Sequence, residues 1–385
     1  MKTGKRFKLA YIIPALVNPG GMERVLTVKA NYFAEHFHYD IHIILTDGKG
    51  MDPYYVLDEK IKIHHLDINF EGNYALPLHK RIFLYLKKQR LFKKRLEKKL
   101  KEVKPDITIS LLRRDINFIN DLKDGSIKIG EIHFNRLFYR NFTNNSLPTF
   151  IQKIGKHFWN RQFINALKKL KAFVVLTHED ADHWTELSNV KIIHNPLSFY
   201  PATYSNLNNK QVIAVGRYVP EKRFDMLIDA WKLVVDKHPN WILKIYGDGM
   251  RNELQTKINK LSLQNNCILE HTVSNIVDKY CESSIFMLSS RYEGFPMVLG
   301  EAMASGLPAV AFACPCGPRD IIQDGEDSFL VENGNMEQLA ERTCRLIENK
   351  ELRIIMGTKA RKNIKRLKVD IIALQWKELF EELTT

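Results

Sequence analysis

Short apolar runs alternate with amphipathic helical segments along the chain, and the whole alternation occurs twice. Strands that alternate with helices in this way are typical of α/β domains with parallel sheets. The pattern therefore predicts two such domains. The predicted strands of the first half lie at about 7–13, 41–46, 61–65, 107–111, 127–133, 172–176 and 190–194. Those of the second half lie near 211–215, 242–246, 267–271, 285–288, 308–312 and 328–331.

The length agrees with two domains, because 385 residues exceed what a single hydrophobic core usually supports. Asn195-Pro196, followed by the polar stretch 201–210, is the best linker candidate. We therefore expect one Rossmann-like domain over 1–198, a linker over 199–210 and a second Rossmann-like domain over 211–365. The tail, about 351–385, is predicted to be helical. The residues predicted to lie near one of its faces are Ile371, Leu374 (or Gln375), Leu379 and Leu383.

The segment Lys80–Lys104 carries twelve basic residues against two acidic ones, which is most of the chain's formal charge of +14. Phe92, Leu96, Leu100 and Val103 share one helical face, so the segment docks through that stripe on a core or on a bilayer. Its basic side chains are then either a solvated helix face or a contact with an anionic membrane surface. Nucleic acid is not expected as a partner, because no recognised binding motif accompanies the charge.

The five cysteines are an odd number, and their Cys-x-Cys spacing matches no zinc or redox motif. They favour a reducing compartment, so we expect a cytoplasmic protein, at the inner face of the cytoplasmic membrane if the basic segment binds lipid. No apolar run approaches the roughly 18 residues that span a bilayer. The apolar N-terminus could pass for a signal peptide, but Gly20-Gly21 and a helical segment follow it directly, which favours a first strand.

The stretch Arg291–Gly306 places Glu293 in a loop and Glu301 inside a short helix. Pro296 suits the first position of that helix, and Gly306 suits its C-terminal cap. The N-terminus of such a helix offers free backbone N–H groups to an anion. Two carboxylates beside an anion site suit a ligand that has both hydroxyls and phosphates.

Arg217 ends a predicted strand, and Lys222 lies at the start of the following helix. Arginine can hold a phosphate with two parallel N–H bonds, and lysine acts on it as a point charge. The alternative is that both residues make surface salt bridges. Gly247, after another strand, lies in a second turn that allows a close backbone approach, although this signal is weak by itself.

Gly20 and Gly21 form a loop between the first strand and its helix, where a backbone could approach a ligand closely. The alternative is a tight turn between strand and helix. His133 closes a predicted strand, and the carboxyl ends of parallel strands face the ligand crevice. A lone histidine, however, is more often structural. No metal site is predicted, because Asp180-Ala-Asp182 belongs to the capping box that Thr177 and Asp180 form.

Together these segments resemble glycosyltransferase family 4, whose retaining enzymes have the GT-B fold of two Rossmann-like domains facing a central cleft. The resemblance covers nearly the whole chain. It rests on Gly20-Gly21-Met-Glu23, His133, Asn195-Pro196, Gly216-Arg217, Glu221-Lys222, Gly247-Asp-Gly249, Glu293-x7-Glu301, Cys316–Gly325 and Phe329–Val331. It implies that 1–198 binds the acceptor, that 211–365 binds the nucleotide sugar, and that 366–385 cross back onto the first domain.

The resemblance also implies roles for single residues. Arg217 and Lys222 would neutralise the donor diphosphate, Glu301 would bind the ribose, and Glu293 would bind the sugar hydroxyls. His133 would lie near the sugar and the acceptor. The remaining donor-binding residues would be Gly20, Gly21, Gly247, Gly294, Phe295, Pro296 and Met297.

The implied enzyme is a hexosyltransferase that needs neither metal nor other cofactor. It would move a sugar from a nucleotide-diphospho-sugar, most often a UDP-sugar, to a hydroxyl of a cell-envelope, capsule or lipopolysaccharide glycan, free or lipid-linked. The family retains the anomeric configuration, and the leaving phosphate helps to take the acceptor's proton. The alternatives are a GT-B-fold nucleotide-sugar epimerase or phosphorylase, and a non-enzymatic basic adaptor at a membrane surface. The adaptor hypothesis leaves the two glutamates and the Arg/Lys placement unexplained.

Overall fold

The computed structural model describes residues 5–70, 78–138 and 149–385. The chain forms two compact units. The first contains Met1–Leu176, Asp180–Pro196 and Val369–Thr385, and the second contains Thr177–Glu179 and Leu197–Lys368. Along the chain, a segment of the first unit ends at Pro196, and the long segment of the second unit begins at Leu197.

The first unit is built on a seven-stranded sheet in the order β3-β2-β1-β4-β5-β6-β7, with every neighbouring pair parallel. Its strands are β1 (Lys8–Ile13), β2 (Asp40–Leu45), β3 (Lys62–His65), β4 (Ile107–Ser110), β5 (Ile127–Glu131), β6 (Ala172–Val175) and β7 (Val190–Ile192). The helices of this part of the chain are α1 (Gly21–His36), α2 (Leu78–Val103), α3 (Thr149–Lys168) and α4 (His178–Asp182).

The second unit has a six-stranded parallel sheet in the order β10-β9-β8-β11-β12-β13. Its strands are β8 (Gln211–Val215), β9 (Ile242–Tyr246), β10 (Cys267–Glu270), β11 (Ile285–Leu288), β12 (Ala309–Phe312) and β13 (Phe329–Val331). Its helices are α5 (Phe224–Lys237), α6 (Arg251–Lys260), α7 (Ile276–Cys281), α8 (Met297–Ala304), α9 (Pro318–Ile321), α10 (Met336–Glu348) and α11 (Lys350–Asn363).

Both sheets have the doubly wound order, in which the chain reverses its direction of travel beside the first strand of the unit. The two predicted Rossmann-like domains are thereby confirmed, and all thirteen predicted strands occur within two residues of their expected ends. Ligands of such sheets bind outside the carboxyl ends of the strands, at the point of reversal. In the second unit that point lies between β8 and β11, and in the first unit it lies between β1 and β4.

The helical tail differs from its prediction. After α11 a short 3-10 turn covers Ile364–Leu367, Lys368 is extended, and a last helix, α12, covers Val369–Thr384. Helix α12 packs against α1 of the first unit. The predicted face is only partly confirmed, because Leu379 is buried whereas Ile371 and Leu374 are exposed. The large aromatic side chains Trp376 and Phe380, four residues apart, place the buried face one position further along.

The apolar stripe of α2 packs on the core of the first unit. Phe92, Leu96, Leu100 and Val103 are buried, and the Phe92 ring meets Phe118 edge to face with 5.0 Å between their centroids. The core alternative for this stripe is therefore confirmed. Among the described residues, no helix has both the length and the apolar character that crossing a membrane requires.

Candidate functional site

Lys222 and Glu293 lie in direct contact at the point of reversal in the second sheet. The Lys222 ammonium is 2.6 Å from Glu293 Oε1, and the Ser290 hydroxyl donates to the same oxygen, also at 2.6 Å. Their side chains are only 19% and 12% exposed, so the pair is partly sheltered from solvent. The Ser289 hydroxyl donates to the carbonyl of Lys222 at 2.8 Å, which ties the end of β11 to this turn. The structure thus brings together two residues that were predicted from separate motifs.

Arg217 follows β8 and is exposed at the same sheet edge. Its guanidinium pairs with no acidic group in the described part of the chain, so it can meet a ligand without first breaking an ion pair. The next residue, Tyr218, is buried and was not anticipated. Its hydroxyl donates to the Ile245 carbonyl at 2.7 Å, which fixes the turn that presents Arg217.

Gly247 has a structural reason to be glycine. A Cβ at this position would lie 1.9 Å from the Gly216 carbonyl oxygen, because the ends of β8 and β9 approach closely. This close approach within the fold is sufficient to explain Gly247. Gly294 and Met297 lie in the neighbouring loop and at the start of α8, and Phe295 is buried beside them.

Helix α8 presents its N-terminus next to Glu293. The helix begins at Met297, so Pro296 precedes it rather than occupying its first position, and no side chain caps it. The first backbone N–H groups of such a helix lack partners within the helix and favour an anion. Gly317, with φ of 104°, allows the loop after β12 to pass against Pro296, where a Cβ would come within 2.3 Å of the proline ring.

The predicted C-terminal cap of α8 is confirmed. Gly306 has a φ of 83°, its N–H donates to the Met303 carbonyl, and the Leu307 N–H donates to the Ala302 carbonyl. This is the Schellman arrangement, which glycine adopts without the steric cost that a Cβ brings.

Glu301 lies inside α8 and is buried. One of its oxygens accepts a hydrogen bond from Ser198 at 2.8 Å, and the other accepts one from the Tyr280 hydroxyl at 3.3 Å. Neither partner was anticipated, because Ser198 and Tyr280 are distant in sequence and belong to no motif. Glu301 and Glu293 therefore have different surroundings, since Glu293 contacts the Lys222 ammonium and Glu301 accepts from two hydroxyl groups.

In the first unit, His133 follows β5 and its Nε2 lies 3.1 Å from Glu131 Oε1. Glu131 also forms a buried ion pair with Lys29 of α1. Sequence analysis missed this pair. The signal was present, because Lys29 interrupts an apolar stripe of α1 in which Val25 and Phe33 lie four residues to either side.

Gly20 and Gly21 lie at the start of α1, at the point of reversal in the first sheet. A Cβ on Gly21 would meet nothing within 4 Å, and the atoms nearest to one on Gly20 would be those of the flexible Glu23 side chain. Neither residue has a φ in the left-handed region. Packing and backbone conformation therefore leave both glycines unexplained, and close approach of a ligand remains the prediction for them.

Several known proteins similar to this chain are named glycosyltransferases. Residues 201–363 match the family model described as Glycosyl transferases group 1. Over 377 residues the chain is 30% identical to a Haemophilus influenzae protein named an uncharacterized glycosyltransferase, covering 96% of this chain and 99% of that protein. It is 28% identical to the amylovoran biosynthesis glycosyltransferase AmsD of Erwinia amylovora, covering 97% of this chain and 99% of that protein.

A solved structure shows the same fold. It is a point mutant of S. aureus TarM in complex with Fondaparinux, alpha-GlcNAc-glycerol and UDP, with a TM-score of 0.76 and 20% identity. The match covers 97% of this chain and 99% of that one. Together with the relative that matches almost end to end, these similarities establish that the chain is a glycosyltransferase and belongs to the group 1 family.

Proposed function

We propose that the chain is a retaining glycosyltransferase that moves a sugar from a UDP-sugar to a hydroxyl of a cell-envelope, capsule or lipopolysaccharide glycan, free or lipid-linked. The observation that carries the donor assignment is the Lys222–Glu293 contact beside Arg217, which pairs with no acidic group among the described residues. Both lie at the point where a doubly wound sheet binds its ligands. The uncapped N-terminus of α8 adds backbone donors to the same edge. Cations and a carboxylate at one place suit a ligand that joins a diphosphate to a sugar.

Arg217 and Lys222 would neutralise the diphosphate, so we propose that transfer needs neither metal nor other cofactor. Lys222 would exchange part of its contact with Glu293 for a phosphate oxygen. Ser290 would keep Glu293 in place, and its carboxylate has further lone pairs to accept sugar hydroxyls. Glu301 would bind the ribose from within α8.

The proposed reaction takes place on one face of the sugar, and the leaving phosphate accepts the proton of the attacking hydroxyl. The main catalytic contribution would come from charges already placed where the diphosphate becomes more negative. Glu293 and Glu301 do not fit the acid and nucleophile of a glycosidase. Glu301 is buried between Ser198 and Tyr280, and Glu293 is held by Lys222. His133 would act near the sugar and the acceptor.

The acceptor class rests on similarity. The Erwinia relative is named for amylovoran biosynthesis, and the TarM structure contains alpha-GlcNAc-glycerol and UDP. These names describe those proteins, and they support a surface glycan and a UDP-sugar as the first compounds to test here. The five free cysteines support a reducing, cytoplasmic location.

The test is transfer from a panel of UDP-sugars to capsule and lipopolysaccharide acceptors in the presence of EDTA, with the product's anomeric configuration determined by NMR. We expect a product with the configuration of the donor and a rate that EDTA leaves unchanged. An inverted product would contradict the retaining mechanism. Activity that EDTA abolishes and Mn²⁺ restores would contradict the metal-free site.

We also propose that α2 contacts an anionic membrane. Ile82, Phe83 and Leu86 are 53%, 72% and 52% exposed, and they lie on one side of the first turns of α2. Lys87 and Arg90 follow Phe83 and Leu86 at a spacing of four residues, so they border this apolar patch. Apolar side chains bordered by basic ones are typical of helices that lie in a membrane interface. The side chain of Arg81 lies outside the described residues.

Co-sedimentation with liposomes tests this contact. We expect binding to anionic liposomes that weakens with salt, since each nearby basic residue contributes about 1 kcal/mol. Phe83→Ser should weaken binding several-fold, whereas Val56→Ser, a change at an equally exposed apolar residue outside α2, should not. Equal binding to neutral liposomes, or none to either kind, would favour a solvated helix face instead.

A further inference from the structure

A buried ion pair next to His133, together with one aromatic ring, joins three elements of the first unit. Lys29 comes from α1 and Glu131 from the end of β5, and their side chains are 2% and 1% exposed. The Lys29 ammonium also lies 4.3 Å from the centre of the Trp376 ring, which α12 contributes. The C-terminal helix therefore contacts Lys29, the lysine that pairs with Glu131, and Glu131 in turn lies next to His133.

Stability alone does not account for this pair. Removing two charges from water costs several kcal/mol per ion, and well-packed apolar residues can often replace such a pair without loss. The second oxygen of Glu131, Oε2, adds to the cost, because it is buried without a hydrogen-bond partner in the described residues. An ion pair whose burial costs this much free energy suggests a function besides stability.

Lys29 keeps Glu131 ionised. Burial alone would raise the pKa of Glu131, but the neighbouring Lys29 ammonium and His133 lower that pKa to about 2. Burial lowers the pKa of Lys29, and the charge of Glu131 opposes that shift. At neutral pH Glu131 is therefore a carboxylate anion, and it lies next to Nε2 of His133.

That anion affects one nitrogen of His133. Nε2 lies 3.1 Å from Glu131 Oε1, the oxygen that Lys29 also contacts, but Nε2 has no hydrogen-bond partner among the described residues, so this contact is electrostatic. A carboxylate this close repels a nitrogen lone pair and attracts an N–H group, so it favours the tautomer with the proton on Nε2. Nδ1 then carries the lone pair.

We propose that Lys29 and Glu131 are positioning residues that fix the His133 ring with Nε2 protonated and Nδ1 available as an acceptor. In transfer, Nδ1 would accept a hydrogen bond from a hydroxyl of the sugar or the acceptor. That last step depends on the proposed function, whereas the tautomer does not. Trp376 belongs to the arrangement because its ring covers the Lys29 ammonium.

The experiment removes both charges together, in the Lys29→Met, Glu131→Leu double variant, so that no lone charge stays buried. The matched control is Lys128→Met with Asp124→Asn. This second ion pair is also poorly exposed and lies at the amino end of the same strand. Thermal unfolding and circular dichroism of both variants should show a folded chain.

The first readout is the pair of ring ¹⁵N shifts of His133 in the full chain without donor, assigned through the signal that disappears in His133→Gln. We expect the Nε2-protonated tautomer in the wild-type chain and in the control, and a mixture of tautomers in the double variant. A wild-type ring protonated on Nδ1, or an unchanged ring in the double variant, would overturn the proposal.

The second readout is steady-state transfer. Positioning predicts that kcat falls about 10- to 100-fold in the double variant, the range typical of residues that orient another side chain, while KM for the donor stays the same. A kcat equal to that of the control would overturn the proposal. Absence of transfer by the wild-type chain would contradict the proposed function instead, and the ring shifts would still decide the positioning.

Discussion

Arg217 and Lys222 differ in what their removal leaves behind. Arg217 is exposed without an ionic partner in the described chain, so Arg217→Ala should change the free energy of unfolding by less than about 0.5 kcal/mol. Lys222→Ala leaves the partly buried Glu293 with Ser290 alone, so it should also destabilise the fold by about 1 kcal/mol. Each substitution removes one charge-assisted contact with the diphosphate, which is worth about 1.5–3 kcal/mol.

Calorimetric titration with UDP should therefore show a rise in Kd of about 10- to 150-fold for each variant. Urea unfolding of the free chains separates the two, since only Lys222→Ala should lower the midpoint. Lys232→Ala is the control, because Lys232 lies on α5 and pairs with Asp236 in the next turn. Wild-type affinity in both test variants would rule out the phosphate assignment.

Which site residues can be predicted from sequence depends on how local their partners are. Glu293 and Lys222 follow strand ends, so the parallel-sheet pattern alone places both at one edge. Ser198 and Tyr280 contact Glu301 only through the fold, and nothing near them in sequence indicates it. The Lys29–Glu131 pair is intermediate, because the misplaced lysine was visible in α1 but its partner, about a hundred residues later, was not.

At the scale of elements, β2 and β3 carry a histidine pair that makes the first sheet sensitive to acid. His42 Nδ1 and His64 Nε2 are 2.8 Å apart, and the rings stack with 5.1 Å between their centroids. Burial and the neighbouring His42 lower the pKa of His64 to about 4. The unfolded chain, with an ordinary histidine, binds the proton from about pH 6.5 downward. The folded state should therefore lose stability as the pH falls from about 6.5 to 4.

The loss can reach at most about 1.4 kcal/mol per pH unit for one proton, and it should be smaller here because His64 is partly exposed. Urea midpoints between pH 7 and 4.5 measure it. His64→Gln should flatten that pH dependence, whereas His36→Gln, on the exposed end of α1, should leave it unchanged. A pH dependence that survives His64→Gln would show that other groups cause the acid sensitivity.

At the scale of the molecule, the strands were predictable and the tail was not, for one physical reason. Strands buried on both faces are short apolar runs, as β1, β6 and β11 are, and most of the strands here have that pattern. The tail carries apolar residues on two adjacent stripes. Choosing between Leu374 and Trp376 requires knowing that the larger ring lies over Lys29, which only the packing of α12 on α1 shows.

The two units should respond differently to the donor nucleotide, since all the proposed diphosphate cations lie in the second. A bound ligand stabilises the folded unit that binds it, by about 2.7 kcal/mol when free UDP is a hundredfold above Kd. Hydrogen exchange with and without UDP should therefore show slower exchange in 216–223 and in 289–301, while β2 and β3 stay unchanged. The Arg217→Ala, Lys222→Ala double variant should lose that protection. Because exchange is read peptide by peptide, protection confined to the first unit would place the nucleotide elsewhere and refute the donor site directly.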